Sequence, residues 1–193
     1  SWNMTLKNVQ DVFTQNTKAV LMVHTYGLTA EAPQIRNFCD NNNLYLIEDA
    51  AEAHGQEIDG KLCGTFGEIA TLSFYANKHM TTGEGGALLI NDTDYYEKAL
   101  SMRNLDFDPS RRFQHQNFYR NYRLGGLQAA LGISQIENIT KKHKILGKSQ
   151  KMHFLVTVSP ELIILGLAAA AAGRGRRPRY IYIYIYEYIY IYI

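Results

Sequence analysis

Ala19-Val-Leu-Met-Val-His24 opens the stretch on which the fold turns, and Leu44-Tyr-Leu-Ile-Glu48-Asp49 closes it. The first run is apolar from Ala19 to Val23 and ends in His24 before Thr25-Tyr-Gly27. Such a run is the pattern of a strand covered on both faces, as in a parallel sheet. Between the two, Glu31 to Asn41 carries Ala32, Ile35, Phe38 and Cys39 at helical spacing. Strand, helix, strand is a βαβ unit, whose two strands run parallel through a right-handed crossover.

Outward from this unit the same signals continue. Ala70-Thr-Leu-Ser-Phe74 and Gly86-Ala-Leu-Leu-Ile90 are short strand candidates. Asp94 to Arg103 is expected to be a helix beginning near an Asp cap. Leu124 to Ile139 is expected to be a longer helix, with Leu127, Ala130, Leu131, Ser134 and Ile136 facing inward. Residues 19–140 therefore predict half or more of an α/β domain, a mostly parallel sheet flanked by helices. Ligands of such sheets gather at the carboxyl ends of the strands. His24, Asp49 and Ser73 end three different strands and are expected to share that rim.

Composition excludes less than it first suggests. The chain has 193 residues and a net charge of +2. Residues 174–193, Arg-Gly-Arg-Arg-Pro-Arg followed by alternating Tyr and Ile, hold 7 of the 14 tyrosines, 4 of the 20 basic residues and 1 of the 18 acidic ones. Without them 16 basic residues face 17 acidic ones and the charge is −1, so the basic balance belongs to the tail and gives no reason to expect a nucleic-acid partner. Cys39 and Cys63 fit no metal-ligand spacing and are too few for a disulfide framework. Reduced thiols in a cytoplasmic protein are expected, with no metal. Ser1-Trp-Asn-Met-Thr-Leu-Lys7 has no apolar run of a signal peptide. The longest apolar stretch, Leu162 to Ala172, has 11 residues, short of the roughly 20 that a membrane span needs.

From about residue 152 the periodicity fails. Met152 to Ile164 has no clear period, Ala168 to Ala172 is all alanine, and Tyr180 to Ile193 alternates two apolar residues, so neither face of a strand would be polar. Tyr and Ile can be encoded by TAT and ATA, so a TA repeat would be read this way. The expected division is a domain over 1–151 and an aberrant low-complexity tail over 152–193, arising from intron read-through or a frameshift.

The chemistry lies in two runs, Ile47-Glu-Asp49-Ala-Ala51-Glu52-Ala-His54-Gly55 and Ser73-Phe-Tyr75-Ala-Asn-Lys78-His-Met-Thr-Thr-Gly-Glu-Gly-Gly86. An amine nucleophile and an acid at the end of a buried strand are the two protein parts that pyridoxal phosphate (PLP) chemistry requires. The lysine forms a Schiff base with the cofactor aldehyde, and the acid keeps the pyridine nitrogen protonated so that the ring accepts electrons.

With Val23-His-Thr-Tyr-Gly27, Thr82-Gly-Glu-Gly-Gly86 and Asn121-Tyr-Arg-Leu-Gly-Gly-Leu-Gln-Ala-Ala-Leu-Gly132, these runs occur in an order and spacing that resembles the PLP-dependent sugar-nucleotide aminotransferases of the DegT–StrS family. The resemblance covers roughly residues 1–147. It is nearest to the perosamine synthase-like branch, on Glu-Ala-His-Gly at 52–55 and Asn-Lys-His-Met-Thr-Thr-Gly-Glu-Gly-Gly at 77–86. It implies part of the large domain of the aspartate-aminotransferase-like (type I PLP) fold. Lys78 would be the Schiff-base lysine and the base that moves the substrate proton. Asp49 would pair with the pyridinium nitrogen, Ala51 lie against the ring face, Glu52 contact the ring hydroxyl, and Ser73 bind the phosphate. Asn121 would reach the phosphate in the other subunit of a homodimer, although Tyr119-Arg120 stands where the family has a Gly-aromatic pair. His54 and Tyr75 are candidates for substrate contact. The implied reaction moves an amino group from glutamate, through PLP, to a keto group on a nucleotide-linked deoxysugar. Two rivals are a sugar dehydratase, whose relatives carry His in place of the lysine, and an inactive remnant that at most dimerises through residues 105–140. The family's upstream phosphate loop and its small C-terminal domain are not recognised in the chain, which is therefore expected to be a partial large domain.

Overall fold

The computed structural model describes residues 2–107, 110–111 and 113–136, together with the backbone of 179–183. Five strands form one sheet in the order β1 (Ala19–Val23), β2 (Tyr45–Asp49), β5 (Ile69–Ser73), β6 (Gly86–Ile90) and β7 (Arg179–Ile183). The first three are parallel, with Val23 opposite Asp49 and Asp49 opposite Thr71. β6 runs antiparallel to β5, and β7 antiparallel to β6. A small hairpin of β3 (Glu57–Ile58) and β4 (Lys61–Leu62) stands apart. Thus the α/β class and the mostly parallel sheet match the expectation. The tail contributes β7, a strand for which the sequence had offered no purpose; the remainder of 152–193 lies outside the described residues.

The helices form where local chemistry starts them. α1 (Leu6–Val12) opens on a capping box in which Thr5 and Asn8 bond each other's backbone. α2 (Ala32–Asn41) carries a proline in its first turn, where a missing N–H costs nothing. α3 (Thr93–Arg103) begins at Asp92, whose carboxylate accepts from the amides of Asp94 and Tyr95. The start signal is thus Asp92 rather than Asp94. α4 spans Gly126–Ile136, and the further turn expected as far as Ile139 lies outside the described residues.

One face of α2, through Ala32, Ile35 and Cys39, packs on Val20 and Met22 of β1 and Leu46 of β2, with Val9 and Phe66 at the sides. A second cluster joins Phe74, Met80 and Ala87, with Leu72 and Ile136 against it. Fully burying aliphatic side chains of this size contributes roughly 2 kcal/mol each. Cys39 and Cys63 are both free and buried. Burial, aided by the charge of Glu48, pushes the Cys63 thiol up to about 12, so it is a poor nucleophile.

Two sequence expectations are corrected. His24 does not sit on the open rim: it is fully buried, its Nε2 lies 3.2 Å from Glu48 Oε1, and its Nδ1 accepts the Ala30 amide. The rim is therefore built by Asp49 and Ser73, while His24 ties the end of β1 to the inside. In α4 the inward side is Gly132, with Gln128, Ala129, Gln135 and Ile136 half-buried, whereas Leu127, Ala130, Leu131 and Ser134 are exposed. The approach there is close: a Cβ at 132 would stand 3.0 Å from Thr82 Cγ2, so a larger residue would require Thr82 to shift. Apolar periodicity finds a stripe but does not say which of two apolar stripes faces this sheet.

Glu48, 0 % exposed, is the most buried charged residue among the described residues. Its carboxylate accepts from the amides of Gly64, Phe66 and Gly67 at 2.6–2.8 Å. Gly67 must be glycine for this approach, because a Cβ there would meet the Leu46 carbonyl oxygen at 2.5 Å. Burial alone would raise the Glu48 carboxyl, but the bonds from His24, Gly67 and Gly64 together outweigh it and hold the group below its ordinary 4.5. Its stabilising contribution is therefore complete above 4.5 and is lost as pH falls through the lowered folded value. Glu48→Gln, which places an amide NH2 against amide donors, should cost about 3 kcal/mol by urea unfolding at neutral pH. The difference between the variant and the parent should shrink in acid.

Candidate active site

The alternation of a strand explains how two adjacent acids do different work. Glu48 points into the core, and Asp49, the last residue of β2, points to the other face and stays half-buried. Asp49 Oδ1 accepts the Ala51 amide at 3.0 Å, which turns the chain sharply at the carboxyl end of the strand. That turn brings Glu52 to face Lys78, which lies beyond the end of β5: Glu52 Oε1 is 3.0 Å from Lys78 Nζ. The lysine side chain is 15 % exposed and the glutamate 37 %. Burial would raise the Glu52 carboxyl, but the Lys78 bond, the Tyr26 amide and the Lys78 charge outweigh it and lower it.

The loop carrying Lys78 is pinned by backbone. Lys78 N donates to Tyr75 O, Phe74 N to Gly85 O, and Thr82 N to Phe74 O. Ser73, the last residue of β5, is half-buried; its Oγ accepts the Tyr75 amide at 3.2 Å and leaves the hydroxyl hydrogen free to donate. His79 is half-buried, and burial together with the charge of Lys78 lowers its ring below the ordinary range. His54 is buried, stacked on Phe74 at 6.2 Å between centroids and edge-on to His79 at 6.2 Å.

Of the residues singled out from sequence, Lys78 and Glu52 are in direct contact, Asp49 and Ala51 form the turn that delivers Glu52, and Ser73 with Tyr75 stands at the end of the neighbouring strand. Tyr75 is exposed, and His54 is buried behind the lysine loop against Phe74 and His79. Asn121 bridges to Asn104 and accepts from the backbone and Nε of Arg123. The sequence reading missed Tyr26, whose amide donates to Glu52 Oε2 at 2.8 Å from a turn of 3-10 helix, Thr25–Gly27. The Gly27 signal marked the turn but not its hydrogen-bond partner. Among the described residues no group of three or more His, Cys, Asp or Glu could hold a metal ion.

An amine held by a carboxylate, a second carboxylate at the adjacent strand end, a small residue between them and a free hydroxyl donor on the next strand suit an aldehyde cofactor with a cationic ring and a phosphate. The chain matches the DegT/DnrJ/EryC1/StrS aminotransferase family over residues 1–151. It belongs to that family. A GDP-perosamine synthase of Escherichia coli O157:H7 is 37 % identical over 166 residues, covering 83 % of this chain and 46 % of the relative. One from Vibrio cholerae is 39 % identical over 141 residues, 73 % of this chain and 38 % of the relative. Among solved structures, an aminotransferase from Psychrobacter cryohalolentis superposes with a TM-score of 0.66 at 33 % identity, covering 72 % of this chain and 38 % of that one. The chain thus spans less than half the length of these relatives.

Because Glu52 is more than a third exposed, its pairing with Lys78 is partly screened by water. A double-mutant cycle of Glu52→Gln and Lys78→Met should give a coupling of about 0.5–1 kcal/mol in urea unfolding, and added salt should reduce it.

Proposed function

We propose that this chain provides the cofactor-holding half of a PLP-dependent aminotransferase that acts on a keto group of a nucleotide-linked deoxysugar, with glutamate as amino donor. The observation that carries this reading is the Lys78 amine, nearly buried and held 3.0 Å from Glu52 at the strand-end rim that Asp49 also lines. The perosamine synthase relatives support the sugar class, and a lysine at position 78 favours transamination over the dehydratase variant.

PLP, when bound, supplies the aldehyde and the electron-accepting ring. Lys78 Nζ would hold that aldehyde and then move the proton between substrate and cofactor carbons. Asp49 would keep a proton on the ring nitrogen, Ala51 would leave room for the ring face, and Glu52 would meet the ring hydroxyl after turning from Lys78. Ser73 Oγ would donate to the phosphate, and Asn121 would serve the second site of a homodimer. Tyr75, and His54 from behind, would border the substrate. Free, buried Cys39 and Cys63 suit a cytoplasmic enzyme.

Borohydride reduction of the full chain with PLP, followed by peptide mass mapping, should leave one stable adduct on Lys78, absent in Lys78→Ala. Adducts scattered over exposed lysines would overturn the reading in favour of a non-catalytic remnant. For the segment 152–193 the proposal is unselected read-through or frameshift sequence, and an uninterrupted TA tract in the mature transcript would refute it.

A further inference from the structure

Tyr26 occupies a position that neither its backbone nor its packing explains. It has φ 55° and ψ 31°, the left-handed region that L side chains disfavour and that glycine or asparagine adopts more readily. Its side chain is 74 % exposed. A large aromatic residue in a strained, exposed turn gains nothing from the described fold, and strain of this kind concentrates where a site needs a group presented. The turn is anchored from two sides. The Tyr26 amide donates to Glu52 Oε2 at 2.8 Å, and Gln56 Nε2 donates to the Gly27 carbonyl at 2.6 Å. Glu52, through its other oxygen, holds Lys78 at 3.0 Å. The Tyr26 backbone therefore stands two hydrogen bonds from the amine, and the exposed ring is carried on that anchored turn.

We infer that Tyr26 is a specificity-determining residue, its ring forming a wall for the pyranose of a nucleotide-linked sugar; this rests on the function proposed above. The reacting carbon must come to Lys78, so the sugar lies nearest the amine and the nucleotide farther out. An aromatic face with a phenol at its edge suits a pyranose, which offers C–H groups on one face and hydroxyls at its rim. The anchoring is by backbone N–H, which every residue but proline retains, so the side chain can be changed without breaking the link to Glu52.

The test uses the full chain with PLP bound, and GDP-mannose and GDP as calorimetric probes. Tyr26→Gly keeps the amide and relieves the left-handed strain while removing the ring. It should weaken GDP-mannose about tenfold, leave GDP unchanged, and leave borohydride trapping on Lys78 and the urea midpoint no lower than in the parent. Tyr26→Phe, which keeps the ring, should bind GDP-mannose nearly as the parent does. Unchanged GDP-mannose affinity in Tyr26→Gly overturns the inference. So does an equal loss for GDP, which would make the ring a nucleotide contact, or a lowered urea midpoint, which would make it a packing residue. If the parent traps PLP on Lys78 and binds GDP-mannose, any of these results removes only the role of Tyr26. If the parent does neither, the proposed function falls, and the inference with it.

Discussion

A single buried carboxylate, that of Glu48, holds together the parts on which the site stands. It binds the imidazole at the end of β1 and three amide donors of the 64–67 loop, those of Gly64, Phe66 and Gly67, from inside the sheet. A charge so placed is costly unless every oxygen is met, and here each accepts two bonds. The strand end, the loop over it and the start of the 3-10 turn are therefore fixed relative to one another. Glu48 is the residue immediately before Asp49, so the rigidity is passed directly to the turn that bears Ala51 and Glu52.

The site is then a consequence of strand geometry. Period-two alternation sends Glu48 inward and Asp49 outward from the same strand end, so one acid serves the fold and the next is available for chemistry. Parallel pairing of β1, β2 and β5 puts their carboxyl ends on one rim, which is why Glu52 after β2 meets Lys78 after β5, 26 positions apart in sequence. The antiparallel return of β6 and the contacts of Thr82 and Gly85 with Phe74 brace the lysine loop from below. Placed on such supports, an amine and its carboxylate partner need little reorganisation to meet a substrate.

Much of this was legible beforehand. The apolar runs at 19–23 and 44–47 reported the strands, and the helical spacing between them reported a crossover, because both signals are local and strong; the cover expected on both faces is absent within the described residues, where Val20, Met22 and Leu46 are buried but Leu21 and Tyr45 are exposed. Lys78 and Asp49 could be singled out because their residue types and their places after strands are legible in the sequence. The role of His24 was not: a polar residue at the end of a strand is equally consistent with an open rim and with a buried partner, and its partner Glu48 lies 24 residues away. The inward face of α4 failed for a related reason. Leu127, Ala130 and Leu131 make an apolar stripe as good as any, yet they are exposed, and the helix approaches Thr82 of the lysine loop through Gly132, whose signal is the absence of a side chain.

The sequence by itself determined the class of fold and the parallel pairing of its first two long strands, since these follow from periodicity, and it singled out Lys78 and Asp49 as candidates from the reactivity of amine and carboxylate. Only the tertiary structure decided that Glu52 faces Lys78, that the Tyr26 amide holds Glu52 from a left-handed turn, and that Glu48 is the interior anchor. Those facts rest on hydrogen bonds between segments 16 to 26 residues apart. Such bonds depend on which loops the sheet brings together, and no local pattern of residues encodes that distance.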